Sequence, residues 1–137
     1  MTPFETEVLD SILWQLKGYS EQYVTERVTT RILRATFRRI KPRLIGSSLN
    51  AINCKKPDLD HAIPLKVIVA KLIEKPFSTK EELVTLLDKF LVSVELTPDE
   101  HRVQLKNIKL SSEMPVNWDG NDHLARYKAA GIDISEV

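Results

Sequence analysis

Val92-Ser93-Val94-Glu95-Leu96-Thr97-Pro98-Asp99-Glu100-His101 is the stretch whose reading decides the fold class. Val92 to Leu96 alternate apolar and polar, the pattern of a half-buried strand. Thr97 is placed to cap a helix, Pro98 suits its first position, and Asp99 adds an early acid. Glu100 then closes a capping box with Thr97. A strand therefore passes directly into a helix, with His101 on the first turn and close to the strand's end.

Working outward, Leu59 to Ile63 is short, partly alternating and ends at Pro64, which reads as a second strand. Between the two strands lie two helical stretches. Leu65 to Lys75 carries Leu65, Ile68, Val69 and Leu72 at helical spacing and stops at Pro76. Ser78 with Glu81 caps the next, whose core stripe is Leu83, Leu86, Leu87 and Phe90. Downstream, Lys106 to Asn121 reads as a polar tail over the surface, pinned by Trp118. A short helix from Asp122 to Ala130 follows, with His123 near its start and Gly131 at its end.

Upstream, Thr2-Pro3 with Glu5 starts a helix through Leu9, Ile12, Leu13 and Leu16 to Gly18. Ser20 opens a second, with Tyr23, Val24, Val28, Ile32, Leu33, Phe37 and Ile40 as its apolar side and Pro42 as its stop. Gly46-Ser47-Ser48 punctuates the chain as a loop. The expected fold is α+β, mostly helical with a small two-stranded finger. The whole chain, 1–137, is expected to be a single domain. It has a basic helical part at 1–45, a strand–strand–helix core with a helical insert at 55–106, and a surface tail with a short helix at 107–137.

At 137 residues and 42% hydrophobic, the chain is long enough to bury a core without staples. Its one cysteine, Cys54, excludes an internal disulfide and is expected to be inert. No apolar run approaches the roughly 20 residues of a membrane span, and residues 1–5 lack a signal-peptide pattern. A cytoplasmic location and no membrane partner are expected.

The net charge of +1 conceals an asymmetry. Residues 21–56 hold nine Lys/Arg against two acids, a local excess of +7. Arg27, Arg31, Arg34 and Arg38 recur at spacings of four, three and four, one stripe down a helix face. Arg39, Lys41 and Arg43 extend it. A basic stripe without compensating acids on a nearly neutral chain suggests an oriented contact with a polyanion.

Asp60-His61 and His101 carry the chemistry. An acid beside a histidine, with a second histidine on a nearby helix turn, can hold one divalent ion and one general base. That set suffices to hydrolyse a phosphodiester. The order is strand with Asp60-His61-Ala62-Ile63-Pro64, helical insert, strand, then helix with His101. This order resembles the ββα-metal (HNH) endonuclease family. The resemblance spans roughly residues 55–106. It implies Asp60 and His101 as ligands of one divalent ion (Mg, Mn, Ni or Zn), His61 as general base, and nucleic acid, with DNA the expected form, as partner. The family's asparagine falls on Thr97, a departure that leaves Thr97 and Glu100 in supporting roles. The alternatives are a catalytically decayed DNA-binding module on the same scaffold and a protein-interaction domain.

Overall fold

The computed structural model describes residues 3–75 and 79–137, and side chains from residue 5 onward within those ranges. The chain divides into two compact units. The first comprises Met1–Lys41 and Ile68–Lys89, and the second Pro42–Val67 and Phe90–Val137. Most of the insert between the two expected strands thus belongs with the N-terminal helices rather than with the strands that flank it.

The first unit is helical. Helix α1 is Pro3–Ser20 and α2 is Glu26–Phe37. Their buried residues follow the helical period: Val8, Leu9, Ile12 and Leu16 on α1, and Thr29, Leu33 and Phe37 on α2. The second helix does not open at Ser20, because α1 continues through it. Thr25 is the cap instead, its hydroxyl accepting from Val28 N at 3.3 Å. Tyr23 lies before the helix and is exposed, and within it Val28 and Ile32 are exposed while Leu33 and Phe37 face inward. Helices α3 (Leu65–Glu74) and α4 (Lys80–Phe90) complete the unit, although the first residues of α3 and the last of α4 fall in the second. The hydroxyl of Thr79 accepts from Glu82 N at 3.2 Å. The expected caps Thr2 and Ser78, and the stop at Pro76, lie outside the described residues.

The second unit is built on a four-stranded mixed sheet in the order β2-β3-β1-β4. Strand β1 is Arg43–Ser48, β2 Asp58–His61, β3 Val92–Leu96 and β4 Ile134–Glu136. Strands β2 and β3 pair antiparallel, while β1 runs parallel to β3. The expected two-stranded finger is therefore replaced by a larger sheet in which β2 and β3 are two members. Between β1 and β3 the chain returns through β2, so the insert joins the antiparallel strands β2 and β3.

The Gly46-Ser47-Ser48 stretch is strand, not loop. A Cβ on Gly46 would stand 2.7 Å from Ile134 Cγ2 and 2.8 Å from Ser135 O, so β4 can lie there only against glycine. On one face of the sheet Ala62, Val92, Val94, Leu96, Leu105, Tyr127 and Ile132 form a buried cluster. A π turn, Glu100–Gln104, leads into α5, Leu105–Asn107. Helix α6, Ala125–Ala130, begins later than expected and ends at Gly131 with φ +72°, a left-handed cap suited to glycine. Trp118 anchors the connecting tail, donating from Nε1 to Asp122 O at 2.8 Å and meeting Phe90 edge-on at 6.4 Å.

Candidate active site

The capping box at the end of β3 forms as its residues dictate. Thr97 Oγ1 accepts from Glu100 N at 3.1 Å, and Glu100 Oε1 accepts from Thr97 N at 2.8 Å. Glu100 is buried, and the same oxygen takes the Ser48 hydroxyl at 2.5 Å. Both residues are thus committed to holding the turn against β1. The turn then widens to π geometry, Leu105 N bonding to Glu100 O. It aims His101 across β3 at its neighbour β2.

There His101 lies between two carboxylates. Its Nδ1 is 2.9 Å from Asp58 Oδ2, and its Nε2 is 3.4 Å from Asp60 Oδ1. Asp58 and Asp60 share a face because strand side chains alternate. They stand opposite Leu96 and Val94, on the side of the buried cluster. His61 follows on the other face, opposite Ser93. The structure therefore brings Asp60 and His101 together and sets the His61 ring on the reverse side of the strand. Asp58 is an addition that spacing could have supplied: two residues before Asp60 on a strand is the same face.

Asp60 is only 6% exposed, and a carboxylate that deep needs donors. Its Oδ2 accepts from Arg126 NH1 at 2.9 Å and from the Tyr127 hydroxyl at 2.6 Å. Arg126 is fully buried and also donates to His61 O at 2.8 Å, Ala62 O at 3.4 Å, Leu110 O at 2.7 Å and Ser111 O at 3.1 Å. Neither Arg126 nor Tyr127 carries a sequence signal of this role, since both lie on a short helix after a long irregular tail. Asp58 is held by Arg102 through two bonds, at 3.0 and 3.1 Å.

These contacts set the protonation states. Burial pushes Asp60 up, but the hydrogen bond from His101 and the charge of Arg126, with the Tyr127 and Arg126 bonds, outweigh it and hold the carboxyl below its usual range. The His101 bond, with help from Arg102, lowers Asp58 as well. His101 is raised above its ordinary value, chiefly by its hydrogen bond to Asp60 and then by that to Asp58, against the opposing effect of burial. Burial, reinforced by the charge of Asp60, raises Tyr127, so its hydroxyl keeps its proton and donates.

Among the described residues no group of three His, Cys, Asp or Glu side chains is disposed to hold a metal ion. Two donors are nevertheless spaced for one. Ligands of a common ion at roughly 2.1 Å stand about 3.0 to 3.4 Å apart for right-angle to tetrahedral arrangements. The observed Nε2–Oδ1 separation of 3.4 Å lies at the wide end of that range. The Asp58 carboxylate behind Nδ1 is the usual partner of a ligating histidine. In this structure the two atoms face each other as an ion pair.

The arginine stripe lies in the first unit. Arg27, Arg31 and Arg38 are exposed and Arg34 is half-buried, while Arg39 and Lys41, both exposed, follow the helix. Arg43 is exposed at the start of β1 in the second unit. Cys54 is a free thiol, half-buried. No helix among the described residues is long and apolar enough to cross a membrane. Compared with protein families, curated proteins and solved structures, the chain finds no match in any of the three.

Proposed function

We propose that the protein is a divalent-metal-dependent hydrolase of nucleic-acid phosphodiesters, with DNA as substrate. The observation that supports this most directly is the approach of His101 Nε2 to Asp60 Oδ1 at 3.4 Å, with Asp58 fixed behind the ring. A hard divalent ion, if held there by His101 Nε2 and Asp60 Oδ1, would supply charge neutralisation on the phosphate and on the leaving oxygen. One carboxylate and one imidazole suit an ion that keeps water and phosphate oxygens as its remaining ligands.

The chain's own residues then divide the work. Asp58 accepts the Nδ1 proton of His101, which leaves Nε2 as the donor atom for the cation. His61 serves as general base, taking a proton from the attacking water. It stands on the opposite face from Asp60 with its Nε2 buried, so this role requires the end of β2 to open. The Arg27 to Arg43 series is suited to contact phosphates without reading sequence.

A non-catalytic nucleic-acid-binding module is the second reading. It is favoured by the Arg126–Asp60 pair, which already neutralises the buried carboxylate. Incubation with supercoiled plasmid in magnesium, manganese or nickel, and in EDTA, separates the two. The hydrolase reading expects metal-dependent nicking that falls about 10²–10⁴-fold in His61→Ala and disappears in Asp60→Asn. Salt-sensitive plasmid binding with no nicking in any of the three metals would overturn it.

A further inference from the structure

We propose that Trp14 and Tyr23 form a stacking site for an unpaired nucleobase, so that the helical unit binds single-stranded nucleic acid in preference to duplex. The proposal rests on the nucleic-acid half of the reading above and needs no metal. Among the described residues these two are the exposed aromatic side chains, at 72% and 83%. They line one hollow of about 330 Å³ at the turn between α1 and α2, together with Lys17, Gly18, Glu21 and Val24.

The turn holds Tyr23 outward. Helix α1 ends in a Schellman motif: Tyr23 N bonds to Gly18 O at 2.9 Å and Gln22 N to Tyr19 O at 3.0 Å, with Gln22 left-handed at φ +65°. Glycine ordinarily takes that position, and a side chain there is strained. The motif is usually completed by an apolar contact from the next residue back onto the helix. Here that residue is Tyr23, and its exposure shows the contact largely forgone. The ring is thus fixed at its backbone and open at its face. Charge selects the occupant. Lys17 Nζ lies over the Trp14 ring at 5.8 Å. Arg27, four residues beyond Tyr23, begins the stripe that runs through Arg31 to Arg38, roughly 16 Å of helix. Aromatic faces beside a line of cations match the bases and phosphates of a single strand. Glu21 repels a phosphate from the hollow itself and suits the amino group of a base. In a duplex the bases are stacked on one another, and only the phosphate contacts remain.

The test measures binding by the full chain in EDTA, so that cleavage does not enter. Fluorescence anisotropy compares a labelled mixed-sequence strand of about 20 nucleotides with its duplex, for wild type, Trp14→Ala and Tyr23→Ala. Both side chains are exposed, so the variants should keep the fold, which circular dichroism checks. Each should bind the single strand about 5- to 150-fold more weakly, the range that stacking on one base carries, and the duplex as well as wild type does. Single-strand binding should also quench tryptophan fluorescence in wild type but not in Trp14→Ala, where Trp118 remains. Single-strand affinity unchanged in both variants, or duplex binding weakened as much, would overturn the stacking site while leaving the arginine contact with phosphates standing. Absence of nucleic-acid binding by wild type would remove the nucleic-acid reading and the stacking site together.

Discussion

Arg126→Met should destabilise the second unit more than any other single polar substitution at this site. The guanidinium is fully buried and donates to one carboxylate and four backbone carbonyls. Methionine fills similar space but supplies no donor and no charge. Removing one partner of a buried ion pair leaves the other uncompensated, at about 3–5 kcal/mol. Against a total of about 5–15 kcal/mol for a domain, that is a large fraction. It corresponds to a fall in Tm of roughly 10–20 °C for a chain of this size. Urea unfolding followed by circular dichroism in EDTA measures the loss without any metal contribution. Asp60→Asn in the Arg126→Met background should then recover part of it, because the unpaired charge is gone. A coupling energy of about 1.5–3 kcal/mol is expected for groups in direct contact. A single-variant loss below about 1 kcal/mol, or a double variant additive within about 0.5 kcal/mol, would refute the reasoning.

The remaining predictions concern His101 and the arginine stripe. In EDTA the His101 pKa is raised in the folded protein, so its contribution to stability is fully present below the unfolded value of about 6.5 and is lost as pH rises through the folded value. Asp58 and Asp60 are lowered, so theirs is present above the unfolded value of about 3.9 and lost as pH falls through their folded values. Metal-free stability should therefore peak in the mildly acid range and decline toward pH 8, and His101→Gln should flatten the alkaline side; an unchanged alkaline slope would contradict the arrangement. Replacing Arg27, Arg31 and Arg38 together by alanine should lower the slope of log affinity for DNA against log salt by up to about 3, near 0.9 for each phosphate no longer neutralised. An unaltered slope in fluorescence anisotropy between about 50 and 200 mM salt would remove α2 from the interface.

How much of this was legible in the sequence depends on how local each cause is. The Thr97–Glu100 box is a four-residue device, and its two reciprocal bonds form where the spacing puts them. The antiparallel pairing of Asp58–His61 with Val92–Leu96 follows from two alternating segments, although 30 residues separate them. Strand β1 was hidden by its own chemistry. Gly46 and Ser48 look like turn residues, yet the first is small because β4 presses against it, and the second is polar because it bonds buried Glu100. Both reasons lie 50 residues or more away in the chain. Helix α2 shows the converse: the apolar residues were visible, but only packing shows that Leu33 and Phe37 face inward while Val28 and Ile32 do not.

Arg126 shows why the centre of the site escaped altogether. An arginine on a six-residue helix ordinarily reads as solvated surface. Its burial makes sense only when Asp60, 66 residues earlier, is already in place to receive it. The converse dependence holds too, since Asp60 stays ionised at 6% exposure through His101, that guanidinium and the Tyr127 hydroxyl together. Each charge is tolerable only because the other is present. A pattern of single residues cannot display a mutual condition of that kind, and the chemistry assigned to Asp60 and His101 consequently rests on the last helix of the chain as much as on the strand and turn that carry them.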